Sequence, residues 1–296
     1  MAIVDLDAYL LALVKKTHPI GSIFHRVNTS YLSIKNAESY GFKIENSKPQ
    51  GTMFMGESEL KNDTNETQTI HSDSFTKTIT DSVTLSVTNG MTAGVSVTIS
   101  GKIFGIGAES SMSFEVSTST TNEQTSEESV AYTVPSQTVV VPAKKTYYVY
   151  TALQRSQLEG SIRLRADLSG ELLVAFKFEG MEMYVNLGDM YEYIKTHQLS
   201  HPLPSGISLN HNNKSIHFEG VAQYLYGTGT KFNVTITDTP SSQGIQEHKP
   251  FDAKTGLGTY EIQLDGKKLG FDINDLKEQM EPEVFEKLKE LQNEIV

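Results

Sequence analysis

Strict alternation of polar and apolar residues over 91–116 is the feature that most constrains the fold of this chain. Successive side chains point to opposite faces of a β-strand, so the pattern predicts strands with one apolar face and one hydroxyl-rich face. Apolar positions are odd-numbered before a short tip at residues 101–105 and even-numbered after it. An antiparallel hairpin that pairs residue 99 with 106 and residue 97 with 108 brings both apolar sets to one face. The sequence therefore predicts an amphipathic β-hairpin.

The two faces of this hairpin differ in composition. The predicted apolar face and tip consist of Val95, Val97, Ile99, Ile103, Phe104, Ile106, Ala108, Met112, Phe114 and Val116. The predicted polar face consists of Ser96, Thr98, Glu109, Ser111, Ser113 and Glu115. Each arm has about ten residues, the length of a tilted strand that crosses a bilayer. Two interpretations remain open: a membrane-spanning hairpin, or an ordinary hairpin with one face on a soluble core.

The hairpin lies inside a long tract rich in serine and threonine. From Thr64 to Thr133, 28 of 70 residues are Ser or Thr, and only Lys77 and Lys102 are basic. Residues 68–87 keep a period of two over far more than the usual strand length of about 5–6 residues. Such composition also occurs in disordered stalks. Because the tract lacks proline and contains many β-branched residues, we expect long polar strands on both sides of the hairpin.

A further run with strand-like composition, residues 138–149, follows the tract and contains Pro142 and the pair Tyr147-Tyr148. Together, the Ser/Thr-rich strands, the amphipathic hairpin and this run resemble the epsilon-toxin and mosquitocidal-toxin branch of the aerolysin-type pore-forming toxins. Residues 1–6 are also similar to the start of some small crystal-forming insecticidal members. The resemblance covers residues 57–170 in sequence pattern and the rest of the chain in layout.

The resemblance implies a mainly β, elongated aerolysin-like fold of long twisted antiparallel strands, with a few short helices at the N-terminal head and the C-terminus. It implies a receptor-binding head formed by residues 1–56 and 171–225. The β-rich body for oligomerisation comprises residues 57–90, 117–170 and 226–265, and the insertion hairpin is 91–116. It also implies a C-terminal helical segment at residues 266–296, which is a candidate propeptide.

The function implied by the resemblance is that of a non-enzymatic insecticidal pore-forming toxin. Such a protein is secreted or released from a parasporal inclusion and binds a target cell membrane through a surface receptor, which is a glycan, a lipid or a protein. It then forms a homo-oligomer and inserts the hairpin as a transmembrane β-barrel, whose lumen the polar face lines. Two rivals remain: a β-sandwich lectin or adhesin that keeps the hairpin folded, and a eukaryotic aerolysin-like defence protein.

Aromatic residues indicate a candidate receptor surface in the predicted head. Exposed aromatic side chains supply large contact areas in recognition, although such residues are more often found in the core. By layout, the candidate receptor surface comprises Tyr31, Tyr40, Tyr184, Tyr191 and Tyr193.

Helical periodicity is present at both ends of the chain. Apolar residues recur from Ile3 to Val14 at helical spacing, and Pro19 follows them, which predicts a packed helix. Residues 273–296 are charged and show the same spacing. This segment is either a packed C-terminal helix or a removable propeptide, and the candidate cleavage sites are Lys254, Lys267 and Lys268.

Composition and motifs argue against several other functions. The net charge of −11 disfavours a nucleic-acid partner, and a chain without cysteine forms no disulfide. The catalytic serine-elbow, Walker-loop and zinc-helix motifs are missing from the sequence. The glycine-rich run at residues 227–231 lacks the spacing of a phosphate loop and predicts a hairpin turn. We therefore expect neither an enzyme nor a bound cofactor or metal.

Overall fold

The computed structural model describes residues 2–29, 31–95, 97–104, 111–240 and 249–264. The helices are α1 (Leu6–Thr17) and α2 (Met190–His197), with a 3-10 turn at Gly21–Ile23. The strands are β1 (Ala2–Asp5), β2 (Phe24–Asn28), β3 (Ser33–Lys61), β4 (Gln68–His71), β5 (Phe75–Thr92), β6 (Thr98–Phe104), β7 (Ser111–Ser117), β8 (Gln124–Val134), β9 (Thr138–Val141), β10 (Thr146–Ser169), β11 (Glu171–Phe178), β12 (Met181–Asp189), β13 (Ile207–Asn210), β14 (Ser215–Thr237) and β15 (Gly258–Gln263).

Three long strands form the centre of the main sheet. Strand β10 pairs antiparallel with β14 on one side and with β3 on the other. Its 24 residues extend about 80 Å at roughly 3.3 Å per residue. The strand order is β1-β5-β14-β10-β3-β6-β7, with β8 on β5 and with β13 and β15 on β14. This arrangement confirms the predicted elongated, mainly β fold.

Two smaller sheets complete the described strands. Strands β12, β11 and β2 form a three-stranded sheet in that order, and β4 pairs with β9. Helix α1 contributes its buried side chains to the largest core cluster, which also includes residues from β2, β5, β11 and the β6–β7 hairpin. The hairpin therefore belongs to the main core of the protein.

Helix α1 confirms the helix that was predicted near the N-terminus. The Asp5 carboxylate caps it by accepting a hydrogen bond from the Ala8 amide at 2.9 Å. Its buried face consists of Leu6, Tyr9, Leu10, Leu13 and Val14. The prediction placed Ile3 on the helix, but Ile3 lies in β1, which pairs parallel with the end of β5. Neither helix among the described residues is long and apolar enough to cross a membrane.

The long alternating tract forms two strands, β4 and β5, where the sequence predicted one continuous strand. Residues 72–74 interrupt the expected strand over 68–87 and separate β4 from β5. There the buried Ser72 amide bonds the Gln137 carbonyl at 2.9 Å, and its hydroxyl accepts the Gln137 amide at 2.9 Å. Ser72 therefore bonds to the segment before β9 and redirects the chain at a point where alternation alone predicts continuity.

The prediction of a hairpin turn at residues 227–231 is wrong. This segment lies inside β14, and opposite it the register of β10 shifts between Gln154 and Arg155. Gly229 is required there because a Cβ atom would lie 2.6 Å from the Tyr132 ring. The glycine therefore provides space for a packed side chain.

Long strands cross the predicted boundaries between head and body. Strand β3 runs through residues 56 and 57, and β14 runs through residues 225 and 226. Residues 20–56 and 176–225, in the predicted head, contain long stretches of strand. The division into a receptor-binding head and an oligomerising body stays a prediction, and residues 266–296 lie outside the described residues.

Candidate functional site

The β6–β7 hairpin has a different register from the predicted one. Ile99 pairs with Val116, Gly101 with Phe114, and Ile103 with Met112. The predicted tip at 101–105 is therefore wrong for residues 101–104, which are strand. Gly101 is a packing glycine, since a Cβ atom there would lie 1.9 Å from the Ser39 hydroxyl and 2.6 Å from the Phe114 ring. Residues 105–110, with Ile106, Ala108 and Glu109, lie outside the described residues.

One face of the hairpin is buried in the core. The fully buried side chains are Val97, Ile99, Ile103, Met112, Phe114 and Val116, and Val95 is partly buried against the same cluster. Phe104 is also buried, although its position in the alternation matches that of exposed Lys102. At about 1.5–3 kcal/mol for each large side chain, this burial contributes of the order of 10 kcal/mol, an upper value because unfolded chains also bury apolar surface.

The opposite face of the hairpin is exposed to solvent. It presents Thr98, Ser100, Lys102, Ser111, Ser113 and Glu115. Lys102 lies opposite Ser113, and Glu115 lies opposite Ser100, so the two charged side chains are diagonal neighbours on this face. Ser96 is outside the described residues. The hairpin is thus amphipathic in the folded monomer.

Few backbone contacts join the hairpin to the sheet. Within the described part of the hairpin, its pairing with β3 is parallel and has one bridge, between Glu38 and Ser100. By contrast, the two hairpin strands pair with each other from Thr98–Ser117 to Phe104–Ser111. Burial of its apolar face therefore holds the hairpin in place far more than the strand ladder does.

Thr118, directly after β7, fixes the base of the hairpin. Its amide donates to the Val97 carbonyl at 3.0 Å, and its hydroxyl donates to the Met91 carbonyl at 2.8 Å. The Met91 amide donates to the Thr118 carbonyl at 3.1 Å. Gln124 adds two bonds to the Ser117 backbone, at 2.8 and 3.1 Å. These bonds hold the ends of both arms together.

A second set of hydrogen bonds joins the hairpin to helix α1. The Thr29 hydroxyl donates to the Asp7 carboxylate at 2.6 Å and accepts the Gly94 amide. Gly94 lies in the segment between β5 and β6. Burial raises the pKa of Asp7, and the bonds from Thr29 and Gly94 partly oppose this effect. We call Asp7, Thr29 and Gly94 the hinge triad.

A buried carboxylate joins the strands that flank the hairpin to the central strands. Asp81 of β5 accepts hydrogen bonds from the Tyr132 hydroxyl of β8 and from the Thr228 hydroxyl of β14 at 3.0 Å. Arg155 of β10 lies 3.4 Å from the same carboxylate. The Gly229 amide donates to the Tyr132 oxygen at 3.0 Å. One carboxylate therefore links four strands.

Burial dominates the ionisation of this cluster. It raises the pKa of Asp81 above its ordinary value, although Tyr132, Thr228 and Arg155 all favour the charged form. Burial and the bond to Asp81 also raise the pKa of Tyr132. Sequence reasoning missed Asp81. The sequence does contain an indication of this site, because Asp81 takes the place of an apolar residue in the inward-facing series Ile79, Val83 and Leu85 of β5.

The five tyrosines of the candidate receptor surface have different environments. Tyr31 is 73% exposed and Tyr184 is 44% exposed. Tyr40 is half-buried, with its hydroxyl donating to Glu219 at 3.1 Å and its ring beneath Arg165 at 4.9 Å. Burial and the bond to Glu219 raise the pKa of Tyr40.

Tyr191 does not lie on the surface. It is only 3% exposed, because α2 turns its ring into the core, and its hydroxyl bonds His211 Nδ1 at 2.7 Å. Tyr193 is half-buried, and its hydroxyl lies 3.0 Å from that of Thr17. The structure therefore removes Tyr191 from the candidate receptor surface. The remaining assignments stay predictions.

The other candidate residues lie near the end of the described chain. Lys254 is exposed in the turn before β15, whereas Lys267 and Lys268 are outside the described residues. Within the described part of the chain, no group of three or more His, Cys, Asp or Glu side chains is placed to hold a metal ion.

The sequence model of one protein family matches most of this chain. The sequence model of the family "Clostridium epsilon toxin ETX/Bacillus mosquitocidal toxin MTX2" matches residues 26–249, which is more than half of the chain. No curated protein sequence matches the chain.

Solved structures share the fold. The Mpp75Aa1.1 β-pore-forming protein from Brevibacillus laterosporus has a TM-score of 0.56 and 20% identity, covering 80% of this chain and 77% of that one. A non-toxic crystal protein from Bacillus thuringiensis has a TM-score of 0.62 and 15% identity, covering 81% and 99%. The Cry23Aa1 and Cry37Aa1 binary protein complex has a TM-score of 0.53 and 18% identity, covering 88% of this chain and 96% of that one. At these identities the likeness shows the fold alone.

Proposed function

Because the chain belongs to the Clostridium epsilon toxin ETX/Bacillus mosquitocidal toxin MTX2 family, we propose that it is a toxin that permeabilises a target membrane by inserting the β6–β7 hairpin. In this proposal the protein binds a cell surface, forms a homo-oligomer and contributes one hairpin per chain to a transmembrane β-barrel. Its activity is membrane permeabilisation and not catalysis.

One observation carries the proposal: the hairpin buries an apolar face, while among the described residues its ladder pairing with β3 consists of one bridge. Burial of the order of 10 kcal/mol is comparable with the stability of a whole domain. A face of this kind requires another apolar environment if the hairpin leaves the monomer, and a bilayer provides one. Closure into a barrel would also satisfy the backbone groups of both arms.

The proposed inserted hairpin has the length and pattern of a membrane-spanning unit. The observed register pairs residue 98 with residue 117, so its continuation to a two-residue turn would give arms of about nine residues, 98–106 and 109–117. About 9–11 tilted residues cross a bilayer. In the barrel, Ile99, Ile103, Met112, Phe114 and Val116 would face lipid. Thr98, Ser111, Ser113, Glu109 and Glu115 would face the lumen.

A dye-leakage experiment tests this function. The full chain is added at micromolar concentration to phosphatidylcholine–cholesterol vesicles, and to vesicles made from lipids of insect midgut membranes. We expect dye release together with an SDS-resistant oligomer. Binding to vesicles without leakage would overturn the proposal and favour the lectin or adhesin function. A Phe114→Asp variant, which places a charge on the lipid face, serves as the inactive comparison.

Activation by cleavage is a further part of the proposal. Lys254 is exposed in a turn, which is where proteases nick folded chains, and Lys267 and Lys268 follow it in sequence. We propose that trimming at these lysines removes residues that restrain oligomerisation. Trypsin-treated protein should release dye faster than the full chain, and a Lys254→Gln, Lys267→Gln, Lys268→Gln variant should not respond to trypsin. Equal rates for trimmed and full-length protein would leave receptor binding as the trigger.

The proposed setting is release by secretion or from a parasporal inclusion, followed by action on insect cells. The fold likeness to a non-toxic crystal protein from Bacillus thuringiensis supports the parasporal-inclusion part of this proposal alone. Toxicity to insect larvae or their midgut cells tests it, with the Phe114→Asp variant as the control.

A further inference from the structure

Phe104, at the end of β6, is a large apolar residue at a position that belongs to the polar face of the hairpin. Side chains alternate along a strand, so Phe104 is on the face of Ser100 and Lys102, which are both exposed. Phe104 itself is only 9% exposed and belongs to the largest core cluster. The folded monomer therefore buries a side chain that the alternation assigns to the polar face.

The ladder of the hairpin gives Phe104 a small polar neighbour. Phe104 pairs with Ser111, and Lys102 pairs with Ser113. Residues directly opposite each other in an antiparallel pair lie on one face, and Ser111 and Ser113 are both exposed. Residue 104 is thus part of the strand, and its side chain lies beside the hydroxyl side chain of residue 111.

Insertion of the hairpin would turn Phe104 towards the water of the pore. In the proposed barrel Ile103 faces lipid, and the next residue of the strand points to the opposite face. We propose that the copies of Phe104, one from each chain, form an apolar ring that narrows the lumen and limits the conductance of the pore. This inference rests on the proposed function and assigns a role to a side chain that the apolar face does not explain.

The spacing of strands in a barrel allows neighbouring copies of Phe104 to approach each other. Identical hairpins repeat every two strands, so copies of residue 104 lie roughly 10 Å apart at about 4.8 Å per strand. The small side chain of Ser111, on the paired strand, fills little of the space between them. Contacts between the aromatic rings offset part of the burial that Phe104 loses on leaving the core.

The order of residues along the ladder separates ion selection from the narrowing of the pore. Glu115 pairs with Ser100, the Lys102 pair follows it, and the Phe104 pair lies closest to the tip of the hairpin. Charged side chains select ions by the sign of their charge, whereas apolar constrictions hinder the passage of water and ions. Substitution of Phe104 should therefore change the conductance and leave the sign of the ion selectivity as it is.

Single-channel conductance of the full chain in planar bilayers tests the ring. Phe104→Leu keeps the side chain apolar but shortens it, so the conductance should rise about 1.5-fold, and Phe104→Trp should lower it by a similar factor. Phe114→Leu is the matched control, because Phe114 lies on the apolar face and would contact lipid; its conductance should equal that of the wild type. Wild-type conductance in both Phe104 variants would overturn the inference.

Thiol accessibility tests the orientation of residue 104 independently of its size. The chain contains no cysteine, so Phe104→Cys, Ile103→Cys and Ser113→Cys each carry a single thiol. A charged, water-soluble methanethiosulfonate added to open pores should change the conductance of Phe104→Cys and of Ser113→Cys. It should leave Ile103→Cys, which would face lipid, unchanged. An unreactive Phe104→Cys beside a reactive Ser113→Cys would overturn the inference.

The outcomes separate this inference from the proposed function. A wild-type chain that forms no channel and releases no dye would contradict pore formation, and the ring with it. Wild-type channels that are insensitive to residue 104 would contradict the ring and retain pore formation. Phe104 variants that keep the circular dichroism of the wild type and bind membranes, yet form no channel, would place Phe104 at the inserting tip and not in the lumen.

Discussion

Thr118 and Met91 are joined by two hydrogen bonds at the base of the hairpin, one from the Thr118 hydroxyl at 2.8 Å and one from the Met91 amide at 3.1 Å. Thr118 is completely buried, and its own amide bonds Val97. The two residues therefore connect the end of β5 to the end of β7. In the proposed mechanism these bonds must break before the hairpin leaves the sheet.

Replacing Thr118 with valine should weaken the docked state. The variant keeps the shape of the side chain but leaves the Met91 carbonyl without its hydroxyl donor, which costs about 1–3 kcal/mol. Urea unfolding should show this loss, and the lag before dye leakage should shorten. Thr125→Val is the control, because Thr125 bonds Thr84 on an exposed face. An unchanged lag for Thr118→Val would show that this bond does not limit insertion.

Gly229 and Gly227 should respond differently to alanine. At Gly229 the new methyl group would lie 2.6 Å from the Tyr132 ring, whereas at Gly227 its nearest neighbour is Gln50 Oε1 at 3.6 Å. Overpacking costs about 1–3 kcal/mol, so Gly229→Ala should lower the free energy of unfolding by that amount. Gly227→Ala should change it by less than about 1 kcal/mol. Equal effects in chemical denaturation would contradict the packing described for Tyr132.

Asp81 and Asp167 should give opposite dependences of stability on pH. Burial raises the pKa of Asp81 above 3.8, so its contribution to stability is complete below 3.8 and is lost as pH rises through the folded-state pKa. Burial also acts to raise the pKa of Asp167, but bonds from Asn36 and His217 outweigh it and lower the pKa below 3.8. Its contribution is present above 3.8 and is lost as pH falls through the folded-state pKa.

Denaturant unfolding between pH 7 and pH 3 measures both effects. Relative to Asp81→Asn, the wild type should gain stability as pH falls from 7 towards 3.8. Relative to Asp167→Asn, it should lose stability as pH falls through and below 3.8. If the stability difference from Asp81→Asn and that from Asp167→Asn changed in the same direction as pH falls, the pKa shifts assigned to the two carboxyl groups would be contradicted.

Carboxylates on the polar face should make the pore cation-selective. Rings of carboxylate in a lumen favour cations, and Glu115 lies on the exposed face of the hairpin. In planar bilayers under a salt gradient, Glu109→Gln with Glu115→Gln should move the reversal potential towards zero. Lys102→Gln should move it in the opposite direction. Glu66→Gln, which changes an exposed loop outside the hairpin, should have no effect; an unaltered potential in the double variant would remove these residues from the lumen.

Alternation predicted which side chains share a face, but it could not determine the hairpin register. The predicted partner of Ile99 was residue 106, and the observed partner is Val116. These registers differ by an even number of residues, so both bring the same apolar side chains together. Contacts distant in sequence decide between them, including the approach of Gly101 to Ser39.

Two polar clusters could not be predicted from the sequence, because they also depend on contacts between residues distant in the chain. Helix α1 has a local apolar period and a local cap, and the sequence predicted it. The hinge triad joins residues 7, 29 and 94, and the Asp81 cluster joins four strands. Tyr191 has the composition of a recognition residue, yet the packing of α2 buries it. Local patterns therefore predicted elements and faces, whereas the long strands determined which polar groups meet.

A disulfide between β3 and β6 tests the central claim most directly. Glu38 and Ser100 are bridge partners, and neighbouring strands lie about 4.8 Å apart, within the usual Cα separation of disulfides. The double variant Glu38→Cys, Ser100→Cys, called the hairpin-lock variant, would therefore fix the hairpin to the sheet when oxidised. A disulfide between His71→Cys and Thr138→Cys, on the paired strands β4 and β9, is the matched control.

The decisive measurement is dye leakage by the hairpin-lock variant before and after reduction. Oxidised protein should bind membranes without releasing dye, and reduction should restore leakage to the wild-type rate, while the control disulfide should leak in both states. Full leakage with the disulfide of the hairpin-lock variant intact would contradict insertion of the β6–β7 hairpin.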